Sequence, residues 1–224
     1  ASDVYKRQAW EPTLDGLVAR IHLAGDDSPR ELVLPVPGEH MALNALAALI
    51  AVRDYGGDVS EALEALTHFG GVNRRFQYHG HVGGIRVYDD YAHHPTEARA
   101  VLTAAREVAD ADAQGLGHPG RVIVCFQPHL FSRTEQFAEE FAKALDLADY
   151  AIVLDIYGAR EKPIPGVTSE LITTQLTIPH KYQPDFSKVP YDVAAIAEPG
   201  DIVLTMGAGN VTMEADAVIA LLKG

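Results

Sequence analysis

Arg121-Val122-Ile123-Val124-Cys125-Phe126, followed without a break by Gln127-Pro128-His129-Leu130-Phe131-Ser132-Arg133-Thr134, sets the architecture of this chain. The first six residues form a continuous apolar run. That pattern suits a strand covered on both faces, as in a parallel sheet, better than a half-exposed strand, which would alternate. The polar turn then leads into a helix. Ser132 and Glu135 have the spacing of a capping box, and Phe137, Phe141 and Leu145 follow at four-residue intervals. A buried strand feeding a helix through a short polar turn is half of a βαβ unit.

The same rhythm extends in both directions. Upstream, Val82 to Tyr88 reads as a strand, and Pro95 suits a first helical position. Ala98, Val101, Leu102, Ala105, Val108 and Ala109 then form the stripe of an amphipathic helix. Gln114 to Gly120 reads as a loop. Downstream, Tyr150 to Ile156 is another apolar strand, and Thr168 to Leu176 and Tyr191 to Ala197 read as helices. Asp201 to Thr205 is a last strand. Gly207-Ala208-Gly209 turns from it into a helix carrying Ala215, Val218, Ile219 and Leu222. The expected fold is α/β: a mostly parallel sheet with helices on both faces, its ligands bound beyond the carboxyl ends of the strands.

The first third reads differently. Leu17, Ala19, Ile21 and Leu23 alternate with less apolar neighbours, as do Leu32, Leu34 and Val36, with Gly25 to Pro29 between them. That is a β-hairpin pattern. Met41 to Asp54 reads as a buried helix, and Ser60 as the cap of a short second one. Ala1 to Gln8 reads as an unrelated edge. The expected units are 1–8, 9–77 and 78–224, with the domain boundary near Phe76 to Gly80.

Bulk composition narrows the function classes. The formal net charge is −13, which argues against a nonspecific nucleic-acid binder but not against one small phosphorylated ligand at a local basic site. Cys125 is the single cysteine, so no intrachain disulfide can form; within its apolar run it reads as a small buried hydrophobe. No apolar run is long enough to span a bilayer, and Ala1 to Gln8 has no signal-peptide core. A cytoplasmic setting is the expectation.

Polar residues cluster where the strands end. Asp89-Asp90-Tyr91-Ala92-His93-His94-Pro95 follows one strand, Gln127 to Thr134 the next, and Asp155 with Tyr157-Gly158-Ala159-Arg160-Glu161 a third. Three readings compete. Asp and His could ligate a metal, although adjacent His93 and His94 tend to point apart. Asp, His and Pro could simply be turn residues. Or the helix starts, each with free N–H groups, could face an anionic small molecule. Arg133 favours the third: a cation in the first turn of a helix is disfavoured by the dipole unless an anion lies beside it.

Ordered motifs add a family resemblance. Gly38-Glu39-His40-Met41-Ala42-Leu43-Asn44-Ala45, Asn73-Arg74-Arg75-Phe76-Gln77, Asp89 to Glu97, Phe126-Gln127-Pro128-His129 with Ser132-Arg133-Thr134, Asp155 to Glu161 and Gly207-Ala208-Gly209 together resemble the Mur ligases over about Leu14 to the end. The resemblance implies a Rossmann-like C-terminal domain preceded by the tail of a central ATPase domain. It implies ATP, Mg2+, UDP-N-acetylmuramate and L-alanine as cofactors and substrates. The sugar carboxylate would be phosphorylated, then attacked by the amine of alanine in peptidoglycan precursor synthesis. Phosphorylation supplies a leaving group, and nearby cations offset the crowded negative charge.

Carried over by motif, Arg75 corresponds to an arginine on the ATP phosphates, Asn44 to an asparagine of the nucleotide site and Asp90 to an acid organising nucleotide and domain closure. His93 corresponds to a residue beside the reacting groups, Arg133 to the holder of the alanine carboxylate with His129 next to it, and Tyr91 to a wall of the side-chain pocket. Met41 and Leu130 depart from the family's usual asparagine and arginine. No Gly-Lys dipeptide occurs, so no Walker-type loop is present in the chain, and the family's magnesium-binding acid and UDP-sugar domain would lie upstream of Ala1. The expectation is a fragment inactive alone. The alternatives are a fragment resembling murein peptide ligase, a non-catalytic nucleotide or amino-acid binding module, and a metal-dependent hydrolase on His93, His94, His129 and Asp90.

Overall fold

A computed structural model describes residues 5–13, 16–111 and 120–224. The chain divides into two compact units, Ala1–Gly71 and Val72–Gly224. In the first, strands β1 (Tyr5–Thr13), β2 (Gly16–Leu23) and β3 (Arg30–Leu34) form an antiparallel sheet in that order. The predicted hairpin is thus β2–β3. Tyr5 to Gln8, read as an unrelated edge, belong to β1, where Tyr5 pairs with Leu23 and Lys6 with His22. Main-chain pairing accepts almost any side chain, so a third strand leaves little trace in the sequence. Helix α1 (Glu39–Asp54) turns Met41, Ala42, Ala45, Leu46 and Leu49 inward, onto a core shared with Leu17, Ile21, Leu32 and Leu34. Helix α2 (Val59–Thr67) is capped by Asp58, whose carboxylate accepts from the Ser60 and Glu61 amides, so Ser60 is not the cap. The cap must precede the first helical turn, and Asp58 has the extended backbone that position needs.

The second unit is the α/β domain. Its strands are β4 (Gln77–Val82), β5 (Ile85–Asp90), β6 (Val122–Phe126), β7 (Tyr150–Leu154), β8 (His180–Gln183) and β9 (Ile202–Met206), in the order β4-β5-β9-β6-β7-β8. Only β4 is antiparallel; the other five strands are parallel. The expected strand Val82 to Tyr88 is the junction of the β4–β5 hairpin, with Gly83 and Gly84 as its turn at φ 59° and 83°. The polar strand β8 was not anticipated: it lies at the sheet edge, where no apolar pattern is required.

Strand periodicity divides the core in two. Val122, Val124 and Phe126 face helix α3 (Pro95–Ala111), helix α4 (Phe131–Leu145) and the short α5 (Glu170–Thr173). Ile123 and Cys125 face helices α6 (Val189–Ile196) and α7 (Thr212–Leu222) on the other side. Every predicted stripe residue of α3 is buried, and Cys125 is fully buried, where desolvation pushes its thiol up. Burying the four apolar side chains of β6 other than Cys125 stabilises the fold by roughly 1.5–3 kcal/mol each. The Gln114 to Gly120 loop lies, except for Gly120, outside the described residues. No helix among the described residues is long and apolar enough to cross a membrane.

The unit boundary falls at Gly71/Val72, a few residues before the expected one. Side chains explain the shift. Phe76 is buried in the core below α3 and stacks on Tyr88, ring centroids 4.5 Å apart, so the segment before β4 already belongs to the second unit.

Candidate functional site

The sheet places four turns beyond the carboxyl ends of its parallel strands. β5 and β6 flank β9, so the turns after Asp90, Phe126 and Met206 emerge side by side, and the turn after β7 adjoins them. Chain direction diverges here: from β6 it runs outward to β7 and β8, then returns to insert β9. Such a switch is where an open α/β sheet leaves a crevice.

The turn after β6 carries His129 and Arg133. They lie one helical turn apart across the start of α4, and Arg133 Nη1 is 3.2 Å from Nδ1 of His129. The same guanidinium nitrogen lies 3.4 Å from the carbonyl of His93. The His93 ring meets His129 edge-on, centroids 5.5 Å apart, and Tyr91 meets His93 at 5.1 Å. His129 stacks in turn on Tyr157, at 5.8 Å. Tyr91, His93, His129 and Arg133 therefore form one contiguous group.

Hydrogen bonding assigns the ring tautomers. His93 Nδ1 is 3.0 Å from the Tyr91 carbonyl, which can only accept, so that nitrogen carries a proton. His129 Nδ1 accepts from Arg133, which leaves the proton on Nε2. Burial, then the Arg133 cation and His93, hold His129 below the ordinary histidine range, so it is neutral at pH 7.

The sequence reading gathers Asp90 with His93, His129 and Arg133 into one anion-holding cleft; in the structure Asp90 is instead buried beneath the group. Its Oδ2 accepts from the Phe76 amide at 2.7 Å and its Oδ1 from the Ala92 amide at 2.6 Å. Burial pushes it up to about 6, against the pull of those two amides and of Arg75. Its carboxylate ties the Arg74–Phe76 segment to the His93 turn; it does not line the group with His129 and Arg133.

Arg75 is exposed, its guanidinium carbon 5.8 Å from the Tyr91 ring centroid. Arg74, quoted earlier only as part of a motif, is more deeply engaged. It lies 4.8 Å over the same ring, bonds Asp89 at 3.3 Å and donates to the Gly207 carbonyl at 2.5 Å. Asp89 is fully buried and also accepts from Thr205 and Thr212, at 2.7 and 2.8 Å. Nothing in the dipeptide Arg74-Arg75 tells the deeply bonded arginine from the exposed one, and both stand over the Tyr91 ring. Asn44 lies in the first unit, exposed on α1, and Met41, one turn before it, is buried.

The expected capping box at Ser132 is absent. α4 begins after Leu130, which has a φ of 72° and offers no side-chain cap. Glu161 caps the helix from the neighbouring turn: it accepts from the Ser132 amide at 2.9 Å and from the Ser132 hydroxyl at 2.5 Å. Glu97 plays the equivalent part for α3, accepting from the His93 and His94 amides at 3.1 and 3.2 Å. No group of three or more His, Cys, Asp and Glu that could hold a metal occurs among the described residues.

Fold and group together define a doubly wound α/β domain whose cation-bearing turns share one crevice of the sheet. The chain belongs to the Mur ligase family: residues 74–209 match its glutamate ligase domain. It is 55% identical over 215 residues to the UDP-N-acetylmuramate–L-alanine ligase of Rhodococcus opacus, covering 93% of this chain and 43% of that protein. It is 52% identical to the protein of the same name from Mycolicibacterium smegmatis, over 96% of this chain and 43% of the relative. Among solved structures it resembles UDP-N-acetylmuramate-alanine ligase MurC of Thermotoga maritima, with TM-score 0.79 and 28% identity, over 97% of this chain and 45% of that one. The chain thus spans less than half the length of these relatives.

Proposed function

We propose that this chain supplies the amino-acid site, and one edge of the ATP site, of a cytoplasmic UDP-N-acetylmuramate–L-alanine ligase in peptidoglycan precursor synthesis. The observation that carries the reading is the contact of Arg133 with His129 and the His93 turn beyond the ends of parallel strands. A planar guanidinium held by a neutral imidazole and a carbonyl keeps further N–H donors for a carboxylate. Arg133 would take the carboxylate of L-alanine, with His129 fixing its direction and Tyr91 beside the small side chain. His93, whose Nδ1 is engaged by the Tyr91 carbonyl, would stand near the attacking amine.

ATP supplies the phosphoryl group that turns the sugar carboxylate into an electrophile. Arg75 suits its phosphates: it is exposed and cationic, and its charge already acts on Asp90 and Glu97. Asp90 would act through the backbone it ties. Asn44 would serve the nucleotide from the first unit, which we assign to the end of a central ATP-binding domain, with the second unit as the C-terminal Rossmann-like domain. Mg2+ is not assigned to residues of this chain, because no acidic or histidine cluster fits it among the described residues.

The test is an exchange. This chain replaces the corresponding 215 residues of the Rhodococcus opacus relative, and phosphate release dependent on both UDP-N-acetylmuramate and L-alanine is measured. The hybrid should turn over, and the 224-residue chain by itself should not. A folded hybrid that releases no phosphate with L-alanine sinks the reading.

A further inference from the structure

We propose that Glu161 is a positioning residue: its carboxylate fills the amino end of α4 and thereby sets the His129–Arg133 pair, leaving an incoming carboxylate to Arg133 rather than to the helix end. The inference rests on the reading of Arg133 given above. Four contacts carry it. Glu161 binds both the amide and the hydroxyl of Ser132, in the first turn of α4. The Leu130 amide donates to the Tyr157 carbonyl at 2.9 Å, and the Tyr157 amide to the Pro128 carbonyl at 2.8 Å. His129 and Tyr157 form a parallel bridge and stack their rings. Finally, Gly158 fits against Phe131 so closely that an added Cβ would sit 2.7 Å from the ring. The turn after β6 and the turn after β7 are thus joined along their length, and Glu161 closes the far end.

This arrangement also explains why Arg133 is tolerated in the first turn of α4. The N-terminal partial charge of a helix is equivalent to roughly half a unit positive. Glu161 supplies the compensating anion from within the chain. A helix start already bonded to a carboxylate has no free N–H groups at Ser132 for a ligand. Among the described residues, the guanidinium of Arg133, by contrast, is bonded only through Nη1.

Glu161→Gln keeps two polar groups at Ser132 and removes the charge; Glu161→Ala removes both. The experiment follows the whole chain by NMR: exchange of the Ser132 amide, the titration midpoint of His129, and the shifts of Arg133 on adding L-alanine. In Glu161→Ala the Ser132 amide should exchange at least about tenfold faster, and added acetate should slow it again; in Glu161→Gln exchange should stay within about threefold of the parent. The His129 midpoint should fall in both variants, because a nearby negative charge that favours the imidazolium is lost. Unaltered exchange and an unaltered His129 midpoint in Glu161→Ala would overturn the proposal. Separately, an Arg133 that ignores L-alanine in the parent chain, with the Glu161 effects present, would remove the amino-acid reading and leave the positioning role intact.

Discussion

Arg133 donates to Nδ1 of His129 across one turn of α4, at 3.2 Å, and so points an otherwise exposed-type side chain along the edge of the sheet. The bond requires a neutral imidazole. Burial and the Arg133 charge together secure that state by holding His129 below its ordinary range. Each residue therefore conditions the other: the arginine keeps the histidine unprotonated, and the unprotonated histidine orients the arginine.

Replacing Arg133 should separate these effects. In the hybrid ligase, Arg133→Ala should raise the L-alanine concentration for half-maximal rate about ten- to a hundredfold, the loss expected for a charged hydrogen bond of about 1.5–3 kcal/mol. In the chain alone, the same variant should raise the His129 titration midpoint, because a neighbouring cation has gone. An unchanged alanine requirement would take Arg133 out of the site. An unchanged midpoint would show that the pair does not communicate.

Asp90 should make stability depend on pH. Its folded value, about 6, lies above its ordinary 3.8. The folded chain therefore binds this proton more readily than the unfolded chain, and the stabilisation is complete below pH 3.8 and lost as pH rises through 6. Asp90→Asn has no such slope. It also turns one accepting oxygen into an NH2 and leaves the Phe76 or the Ala92 amide unpaired, at about 1–3 kcal/mol. Urea denaturation should show the variant less stable than the parent at about pH 4.5, with the gap shrinking by about 2 kcal/mol towards about pH 7.5. A gap that widens over that range contradicts the assignment.

Gly207 should resist any side chain. Its φ is 147°, and an added Cβ would lie 2.6 Å from the Gln127 carbonyl oxygen, which is backbone and cannot step aside. Its own carbonyl receives Arg74, and its amide donates to the Asp90 carbonyl at 3.0 Å. Gly207→Ala should destabilise the second unit by about 1–3 kcal/mol, read as a lower denaturation midpoint. Gly25→Ala, also at positive φ but with nothing within 4 Å of the added carbon, is the control and should cost less. Equal losses would mean that backbone strain, not the approach of Gln127, governs both.

How much of this was legible in the chain varies with the kind of interaction. The strands β6, β7 and β9 were readable because both faces are covered and nearly every position is apolar. The α3 stripe was readable because one helical face packs on the sheet. β8 and β4 were not, since polar edge strands draw on main-chain bonds that leave no pattern. Gathering the site residues at strand ends followed from the alternation of elements. The depth of Asp90 did not, because a carboxylate in a turn reads the same whether it faces a ligand or two amides.

By itself, then, the sequence determined the parallel core, the two helical layers and the two turns that carry Tyr91, His93, His129 and Arg133, because burial repeats with a period that local residues record. Tertiary structure alone decided which groups those turns bond. Glu161 reaches Ser132 across 29 residues and Arg74 reaches Gly207 across 133, and no local period encodes either pairing. The first follows from β6 lying beside β7 and the second from β9 inserting next to β5, and strand order is a property of the assembled sheet.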